Sequence, residues 1–373
     1  MASICSAHTT ILEIPPSCIE VCPWNQTFFA IGTYLLHKKE SSEENQDNLA
    51  SETQKRTGTI ELFHVADDQK STKLLYTQHC DYAILDLHFP VHFDIHEPCI
   101  WTANSTGSLT RHNLSSDCTS ITGSRVHQLW EPDVLVLAFT FHPLTPNLLG
   151  ATLSDGSVCL VQIPIGAITE SQFSSSVIAK HDLEAWTMNF DLSGEKWLSG
   201  GDDAVLACGT VPNLHSISIE ASLEETTEAS LIWKNRRIHF AGVTAILPLD
   251  ERVALSGSYD DHLRLVTLEK PPRVRAEVNL DGGVWRLKLL KTHRDLHTVR
   301  QYDILASCMH AGARIARITL TGDEEPHIEV LAKFTEHESM NYGSDFVCAK
   351  DNSYNYTILS TSFYDKRLCL WRF

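Results

Sequence analysis

The stretch that decides the fold is LSGSYDDHLRLVTL, residues 255–268. A short apolar run ends in small residues, Tyr259 and two acids follow, and a second apolar run begins at Leu263. Aspartate tolerates positive φ or bonds its own backbone, so this pattern predicts two antiparallel strands joined by a tight turn. The stretch therefore indicates a β-hairpin, and its repetition along the chain sets the architecture.

Similar hairpins recur throughout the sequence. Their second strands lie in TGTIELFHV (57–65), TGSLTRHNL (106–114), DGSVCLVQI (155–163), DDAVLACGTV (202–211), AGARIARITL (311–320) and YDKRLCLWRF (364–373). The steps are about 50 residues, near the period of a propeller blade. Further apolar stretches upstream, such as AWTMNF (185–190), suit innermost strands. The pattern predicts seven four-stranded units similar to WD repeats, although 255–268 lacks the Trp-Asp pair typical of such a repeat.

The two ends of the sequence predict how the ring closes. The last hairpin stops after KRLCLWRF (366–373), so the final blade lacks its outer strand. HTTILEIP (8–15) precedes the first inner strand and can supply it, which removes an exposed sheet edge. We therefore expect an all-β protein in which residues 1–373 form a single seven-bladed WD-repeat β-propeller.

Two polar insertions interrupt the period. Residues 38–57 are rich in charge, and we expect a disordered hairpin tip in blade one. Residues 212–230 lengthen blade four after its third strand and are acidic near their end, so we expect them on the outer rim. Either segment has the composition of a solvated loop.

Composition excludes several classes of function. The formal net charge of −17 disfavours nucleic-acid binding, which needs a positive field to meet phosphates. No apolar run approaches the roughly 20 residues that span a bilayer. The N-terminal residues lack the basic and apolar regions of a secretory signal. We expect a cytoplasmic monomer that binds neither nucleic acid nor membrane.

The eleven cysteines are scattered and mostly lie within apolar strands. Their distribution favours free thiols in a reducing compartment. Cys18 and Cys22 form a close pair, but no second Cys or His pair stands at matching spacing, so we predict no metal site and no cofactor.

Blades four to seven carry a more specific pattern than generic repeats. It comprises, in order, HDLEAWTMNF (181–190), SGGDDAVL (199–206), NRRIHFAGV (235–243), SGSYDDHL (256–263), DGGVWRLK (281–288), CMHAGARI (308–315), EHESMNYGSDF (336–346) and TSFYDKRLCLW (361–371). This order resembles the diphthine methylesterase family, also called diphthine methyltransferase. The resemblance is strong over residues 180–373 and looser before them.

The resemblance implies a reaction on translation elongation factor 2. Diphthamide is built on one histidine of that factor, and an intermediate carries a trimethylammonium group and a methyl ester. The family hydrolyses the ester to give diphthine. A non-catalytic WD-repeat scaffold that binds protein partners is the alternative, because the sequence contains no Gly-x-Ser-x-Gly elbow and no His-Glu-x-x-His motif.

Several candidate residues also fit a structural role. A WD blade commonly uses a loop histidine, a turn aspartate and a strand serine as a buried hydrogen-bond network. By sequence, the histidine–aspartate pairs of this kind are His181 with Asp202, His239 with Asp260, and His337 with Asp365.

Ester hydrolysis needs an attacking oxygen, a base and donors for the oxyanion. His310 replaces the usual turn aspartate and can serve as base, and Glu184 can act as base or face the trimethylammonium group. His181, Asp203 and His337 complete the candidate catalytic set. We favour activated water as nucleophile over Ser258 or Cys308.

Other residues predict a binding surface. Five aromatic side chains can cage a quaternary ammonium, although both tryptophans also fit packing between blades: Trp186, Tyr259, Trp285, Tyr342 and Tyr364. Asp261 is a second acid in its turn and, with His239, is a candidate ligand contact. The amides of Gly282 and Gly283 can form an oxyanion site, although a tight turn explains these glycines equally well.

Overall fold

A computed structural model describes residues 4–38, 54–92, 97–163, 173–212, 231–294, 299–322, 325–348 and 356–373. Most of the two polar insertions lies outside these ranges. Strand β5 already begins at Arg56, so the loop predicted over 38–57 extended two residues too far. Among the described residues, no helix has the length and apolarity needed to cross a membrane.

Seven antiparallel sheets form the predicted blades. In each blade the first strand is innermost, and each strand pairs with the next. Blades one to three comprise β2 (Pro16–Val21), β3 (Phe28–Thr33), β5 (Arg56–Val65) and β6 (Thr72–Cys80); β7 (Ile84–His88), β8 (Cys99–Asn104), β9 (Ser108–Leu114) and β10 (Ile121–Gln128); β11 (Val136–Phe141), β12 (Leu148–Leu153), β13 (Ser157–Gln162) and β14 (Ser174–Lys180). A short strand β4 (Leu35–Leu36) extends the β5 edge.

Blades four to seven follow the same plan and supply the candidate site. Their strands are β15 (Ala185–Phe190), β16 (Lys196–Gly201), β17 (Leu206–Thr210) and β18 (Leu231–Asn235); β19 (Val243–Pro248), β20 (Val253–Ser258), β21 (His262–Thr267) and β22 (Val274–Asn279); β23 (Arg286–Arg294), β24 (Arg300–Ser307), β25 (Ala313–Leu320) and β26 (His327–Phe334); β27 (Gly343–Cys348), β28 (Tyr356–Ser362) and β29 (Arg367–Arg372).

The N-terminal strand closes the ring as predicted. Strand β1 (His8–Ile11) pairs antiparallel with β29, and His8 lies opposite Leu370. Apolar clusters fill the spaces between neighbouring blades; for example, Phe334 of blade six stacks on Trp371 of blade seven with ring centroids 5.0 Å apart. Because both faces of a blade are covered, middle strands such as β28 are buried along their whole length.

The 255–268 stretch forms the predicted hairpin, with Asp261 at a φ of 64° in its turn. Val266 stands where the repeat usually has tryptophan, and its side chain is only 1% exposed in the core. Arg264 supplies polar bonds that the sequence did not predict. Its Nη1 lies 2.7 Å from Asp260 and 2.8 Å from Nδ1 of His239. A buried ion pair therefore fixes this turn in addition to apolar packing.

Candidate functional site

Four aromatic side chains meet at one mouth of the central channel. Trp186, Tyr259, Trp285 and Tyr342 come from blades four, five, six and seven, and we call them the mouth cluster. Ring centroids are 5.4 Å apart for Trp186 and Trp285, 6.0 Å for Tyr259 and Trp285, and 5.0 Å for Trp285 and Tyr342. All four side chains are half-buried. The rings thus line a shared surface and keep some exposure to solvent.

Local backbone features position these rings. Trp186 occupies a β-bulge, because the register between β15 and β16 shifts between Ala185 and Thr187. A bulge re-aims the side chain of the extra residue. Gly283 allows the turns of blades five and six to approach, since a Cβ there would lie 2.7 Å from the Met309 sulfur and 3.3 Å from the Tyr259 ring.

Two carboxylates and one guanidinium surround the mouth cluster. Oδ1 of Asp202 accepts a hydrogen bond from the Trp186 indole at 3.0 Å. Burial raises the pKa of Tyr259, and the nearby charges of Asp202 and Glu184 raise it further, whereas Arg286 lowers it. The Arg286 guanidinium carbon lies 5.3 Å from the Trp285 ring centroid. The cluster therefore lies between anionic and cationic groups.

A small cavity of about 120 Å³ lies below the mouth cluster, lined by apolar and charged side chains of the inner strands. Nε2 of His88 is 3.2 Å from Asp86, and its Nδ1 contacts Glu20. Lys288 Nζ lies 3.5 Å from Glu20 and 3.2 Å from Asp345. Burial alone would lower the pKa of His88, but the carboxylates of Asp86 and Glu20 raise it to about 10. His88 is therefore protonated at neutral pH.

The loop histidines are buried within their blades. Both nitrogens of His181 are hydrogen-bonded, Nδ1 to Asp203 and Nε2 to Ser199, each at 2.9 Å. The predicted pairing of His181 with Asp202 is therefore wrong. Asp203 performs the structural role, and its neighbour Asp202 faces the mouth cluster. The hydrogen bond from His181 holds the pKa of Asp203 down to about 2, against the effect of burial.

His239 and His337 have comparable surroundings. Nε2 of His239 bonds Ser256 at 2.8 Å, and its Nδ1 lies 3.5 Å from Asp260, the predicted partner. Nε2 of His337 bonds Ser360 at 2.8 Å. Burial lowers the pKa of His337 to about 4, although nearby charge from Asp365 opposes that effect. Buried imidazoles held in this way fit structural roles better than the catalytic or binding roles that we predicted for them.

His310 lies in the turn of blade six and is exposed. The left-handed residue two positions later is Gly312, as Lys366 is two positions after Tyr364. His310 is thus equivalent to Tyr364, and Ala311, rather than His310, replaces the usual turn aspartate. Tyr364 is 70% exposed and contacts Phe363, with ring centroids 5.0 Å apart.

The remaining predicted residues have turn or packing roles. Asp261 takes the left-handed position of its turn, and its carbonyl accepts the Leu280 amide at 2.8 Å. A Cβ on Gly282 would lie 2.4 Å from the Cys308 carbonyl oxygen, so the glycine permits close packing. Within the described ranges, the amides of Gly282 and Gly283 donate no hydrogen bond to another protein group.

Sequence reasoning missed several residues here. Phe363 joins Tyr342 to Tyr34, with ring centroids 5.5 and 6.3 Å away. The charged channel residues were also missed, although charges at alternate positions of predicted inner strands were a signal for a polar channel. Those residues are Glu20, Asp86, His88, Arg286, Lys288 and Asp345.

Two solved structures show the same fold. A chain in the crystal structure of a mitotic checkpoint complex matches with a TM-score of 0.62 and 10% identity, covering 99% of this chain and 91% of that chain. The WD40 β-propeller domain of Doa1 matches with a TM-score of 0.59 and 12% identity, covering 100% and 97%. At these identities the likeness concerns the fold, and it confirms the WD-repeat propeller.

Curated relatives are similar along nearly the whole chain. Diphthine methyltransferase of Schizosaccharomyces pombe is 31% identical over 94% of both chains. The Saccharomyces cerevisiae protein of the same name is 25% identical over 96% of both chains. The human one is 26% identical over 92% of this chain and 75% of its own. No family model matches the sequence. By its similarity to the fission yeast protein, this chain belongs to the diphthine methyltransferase family.

Proposed function

We propose that this protein hydrolyses the methyl ester of methylated diphthine on translation elongation factor 2, giving diphthine and methanol. The observation that carries the proposal is the mouth cluster with Glu184 and Asp202 beside it. A quaternary ammonium has no hydrogen to donate, so aromatic faces and nearby negative charge are the groups that recognise it. The family membership described above agrees with a methylated diphthine intermediate as ligand.

The reaction requires water to attack the ester carbonyl carbon. A base takes a proton from the water, a tetrahedral oxyanion forms, and methoxide leaves with a proton as methanol. Glu184 is our first candidate for the base because its carboxylate lies near Tyr259 in the mouth cluster. His310 is the second, because its turn position is equivalent to those of Asp202 and Tyr259. The unbonded amides of Gly282 and Gly283 are candidate donors to the oxyanion.

A non-catalytic scaffold remains the alternative, and one observation favours it. Loops on the mouth side expose large apolar side chains: Leu183 is 50% exposed, Phe240 is 85% exposed and Tyr364 is 70% exposed. Exposed apolar side chains in one region mark protein-binding surfaces. An enzyme acting on a folded protein also needs such a surface, so an activity measurement must decide.

The test mixes purified protein with elongation factor 2 that carries the methylated intermediate. The intact mass of the modified peptide is then followed over time. We expect a loss equal to one methylene, with methanol released. An unchanged mass, with binding still detectable, would overturn the esterase proposal in favour of the scaffold.

Two variants then examine the base. Glu184→Gln removes the carboxylate with little change in shape, and we expect at least about a 100-fold loss in kcat if Glu184 is the base. Glu195→Gln alters an exposed acid of the same blade and is the matched control. Full activity of Glu184→Gln together with inactive His310→Ala would assign the base to His310.

A further inference from the structure

We infer that Arg286 binds the carboxyl oxygen next to the trimethylammonium group, so that Arg286 and the mouth cluster form one two-part site for a betaine-like ligand. This inference rests on the proposed function, because it specifies how the same site recognises its substrate. The ligand class is an α-carbon that carries both a quaternary ammonium and a carboxyl ester or carboxylate.

Arg286 is placed between the mouth cluster and the channel cavity. It is the first residue of β23 and directly follows Trp285. Its guanidinium carbon lies 5.3 Å from the Trp285 ring centroid, and its side chain also lines the cavity below. The side chain is 23% exposed, so a ligand in the mouth can reach it.

The Arg286 guanidinium has more N–H donors than its described hydrogen bonds use. Arginine carries five N–H groups. Nη1 of Arg286 donates to the Trp285 carbonyl at 3.3 Å, and Nη2 lies 3.7 Å from Asp86, which is too far for a direct hydrogen bond. The same Asp86 also pairs with protonated His88 at 3.2 Å. Asp86 therefore divides its negative charge between Arg286 and His88, and the Arg286 guanidinium can donate hydrogen bonds to a second partner.

Arg264 shows the contrasting arrangement within this fold. Its guanidinium makes hydrogen bonds of 2.7 to 2.9 Å to Asp260, His239 and Glu277, and its side chain is 3% exposed. Every one of those partners belongs to blade five or its loop. The hydrogen bonds of Arg264 thus stabilise blade five, whereas Arg286 has longer contacts and lies at the edge of a candidate binding surface.

The distances suit a ligand whose two charged parts are close together. A cation is attracted to an aromatic face within about 6 Å of the ring centroid. In an α-trimethylammonio acid the carboxyl carbon is two bonds from the nitrogen. With the ammonium against the mouth cluster, the carboxyl oxygen comes within reach of a guanidinium that borders the same Trp285 ring.

Such a contact strengthens as the ester is hydrolysed. The neutral ester carbonyl becomes an oxyanion in the tetrahedral intermediate and a carboxylate in the product. A guanidinium binds the charged forms more strongly than the neutral one. We therefore expect Arg286 to contribute more to kcat than to KM, and the free acid to bind more tightly than its ester.

The experiment measures binding of small ligands by intrinsic tryptophan fluorescence and by calorimetry. The probes are trimethylglycine, its methyl ester and tetramethylammonium, tested against the wild-type protein, Arg286→Gln and Arg286→Lys. Arg275→Gln changes a more exposed arginine on β22 and is the matched control. Thermal unfolding of each variant verifies that it is folded.

We expect the wild-type protein to bind trimethylglycine more tightly than tetramethylammonium. Arg286→Gln should weaken trimethylglycine binding at least about tenfold and leave tetramethylammonium unchanged, with partial recovery in Arg286→Lys. Equal effects on both ligands, no effect on either, or no wild-type binding of trimethylglycine would overturn the inference. This readout does not depend on esterase activity, so the two proposals can fail separately.

Discussion

The indole Nε1 of Trp186 donates a hydrogen bond to Oδ1 of Asp202 at 3.0 Å. The next residue, Asp203, accepts instead from His181 inside the blade. Two adjacent acids therefore have different partners: one orients a ring of the mouth cluster, and the other fixes a loop of blade four. Variants of these neighbours should separate ligand binding from stability.

We expect Asp202→Asn to weaken tetramethylammonium binding several-fold while changing the free energy of unfolding by less than about 0.5 kcal/mol. We expect Asp203→Asn to lower that free energy by about 1–3 kcal/mol, because it disturbs a buried charge-assisted hydrogen bond. Urea unfolding and fluorescence titration measure the two quantities. The reverse pattern, with Asp202→Asn the less stable protein, would contradict our assignment of the pair.

Substitutions within the mouth cluster should affect ligand binding according to ring position. Trp285 contacts the other three rings and borders Arg286, so Trp285→Ala should weaken tetramethylammonium binding about tenfold, and Trp285→Phe less. Tyr364 lies outside the cluster, and Tyr364→Ala should change binding less than about twofold. A large effect of Tyr364→Ala in the same titration would show that the ligand also contacts Tyr364, outside the mouth cluster.

The ion pair of Arg264 with Asp260 predicts a large stability effect. Both side chains are less than 10% exposed, at 3% and 7%. Removing one partner of a buried pair costs about 3–5 kcal/mol, so Arg264→Ala should lower the free energy of unfolding by that amount. Arg236 contacts Asp182 on the surface, and Arg236→Ala should lower the free energy of unfolding far less than Arg264→Ala does. Equal losses of unfolding free energy for the two variants in denaturant titrations would show that burial does not increase the contribution of the Arg264 pair to stability.

The charged channel residues around His88 predict that the stability of the protein depends on pH. The pKa of His88 is about 10 in the folded protein, above its ordinary value of about 6.5. Its stabilising contribution is therefore complete below pH 6.5 and is lost as the pH rises towards 10. Asp86 and Glu20 stay ionised over this range, because their pKa values are lowered, and Lys288 stays protonated, because its pKa is raised.

Urea unfolding of wild-type protein and His88→Gln between pH 6 and 10 measures that contribution. The difference in unfolding free energy between the two should shrink as the pH rises. The same substitution at His112 is the control, because burial lowers the pKa of His112 to about 4, so that this histidine is already neutral at pH 6. NMR of the His88 ring carbons reports the titration directly, and a midpoint near 6.5 would contradict the assigned charge state.

The blade count and the ring closure could be predicted because they depend on periodicity and on unpaired edges, both of which are visible in the sequence. The two acids of blade four could not be assigned, because the turn register depends on backbone conformation. The left-handed residue in that turn is Ala204, with a φ of 58°, whereas Asp261 holds this position in blade five. Alanine gives no sequence signal for positive φ, so the predicted pairing of His181 with Asp202 was displaced by one residue from the observed partner, Asp203.

The site was predictable only in part for a related reason. Three ring residues of the mouth cluster stand in loops and Trp186 stands at the start of β15, at positions where a plain blade does not require an aromatic side chain, which is why the sequence singled them out. Arg286 and His88 lie in inner strands, and each has a charged partner on another blade: Asp86 of blade two for Arg286, and Glu20 of blade one for His88. Such long-range pairing has no local signature in a sequence.

The pairing of β1 with β29 joins residues 360 positions apart, as for Thr9 and Cys369. In a nascent chain, β1 therefore stays without its partner strand until β29 has been synthesised. Contacts of such high sequence separation form late in folding. Closure of the ring therefore waits for the synthesis of β29, and blades completed earlier must keep their exposed edges from aggregating until that strand has been made.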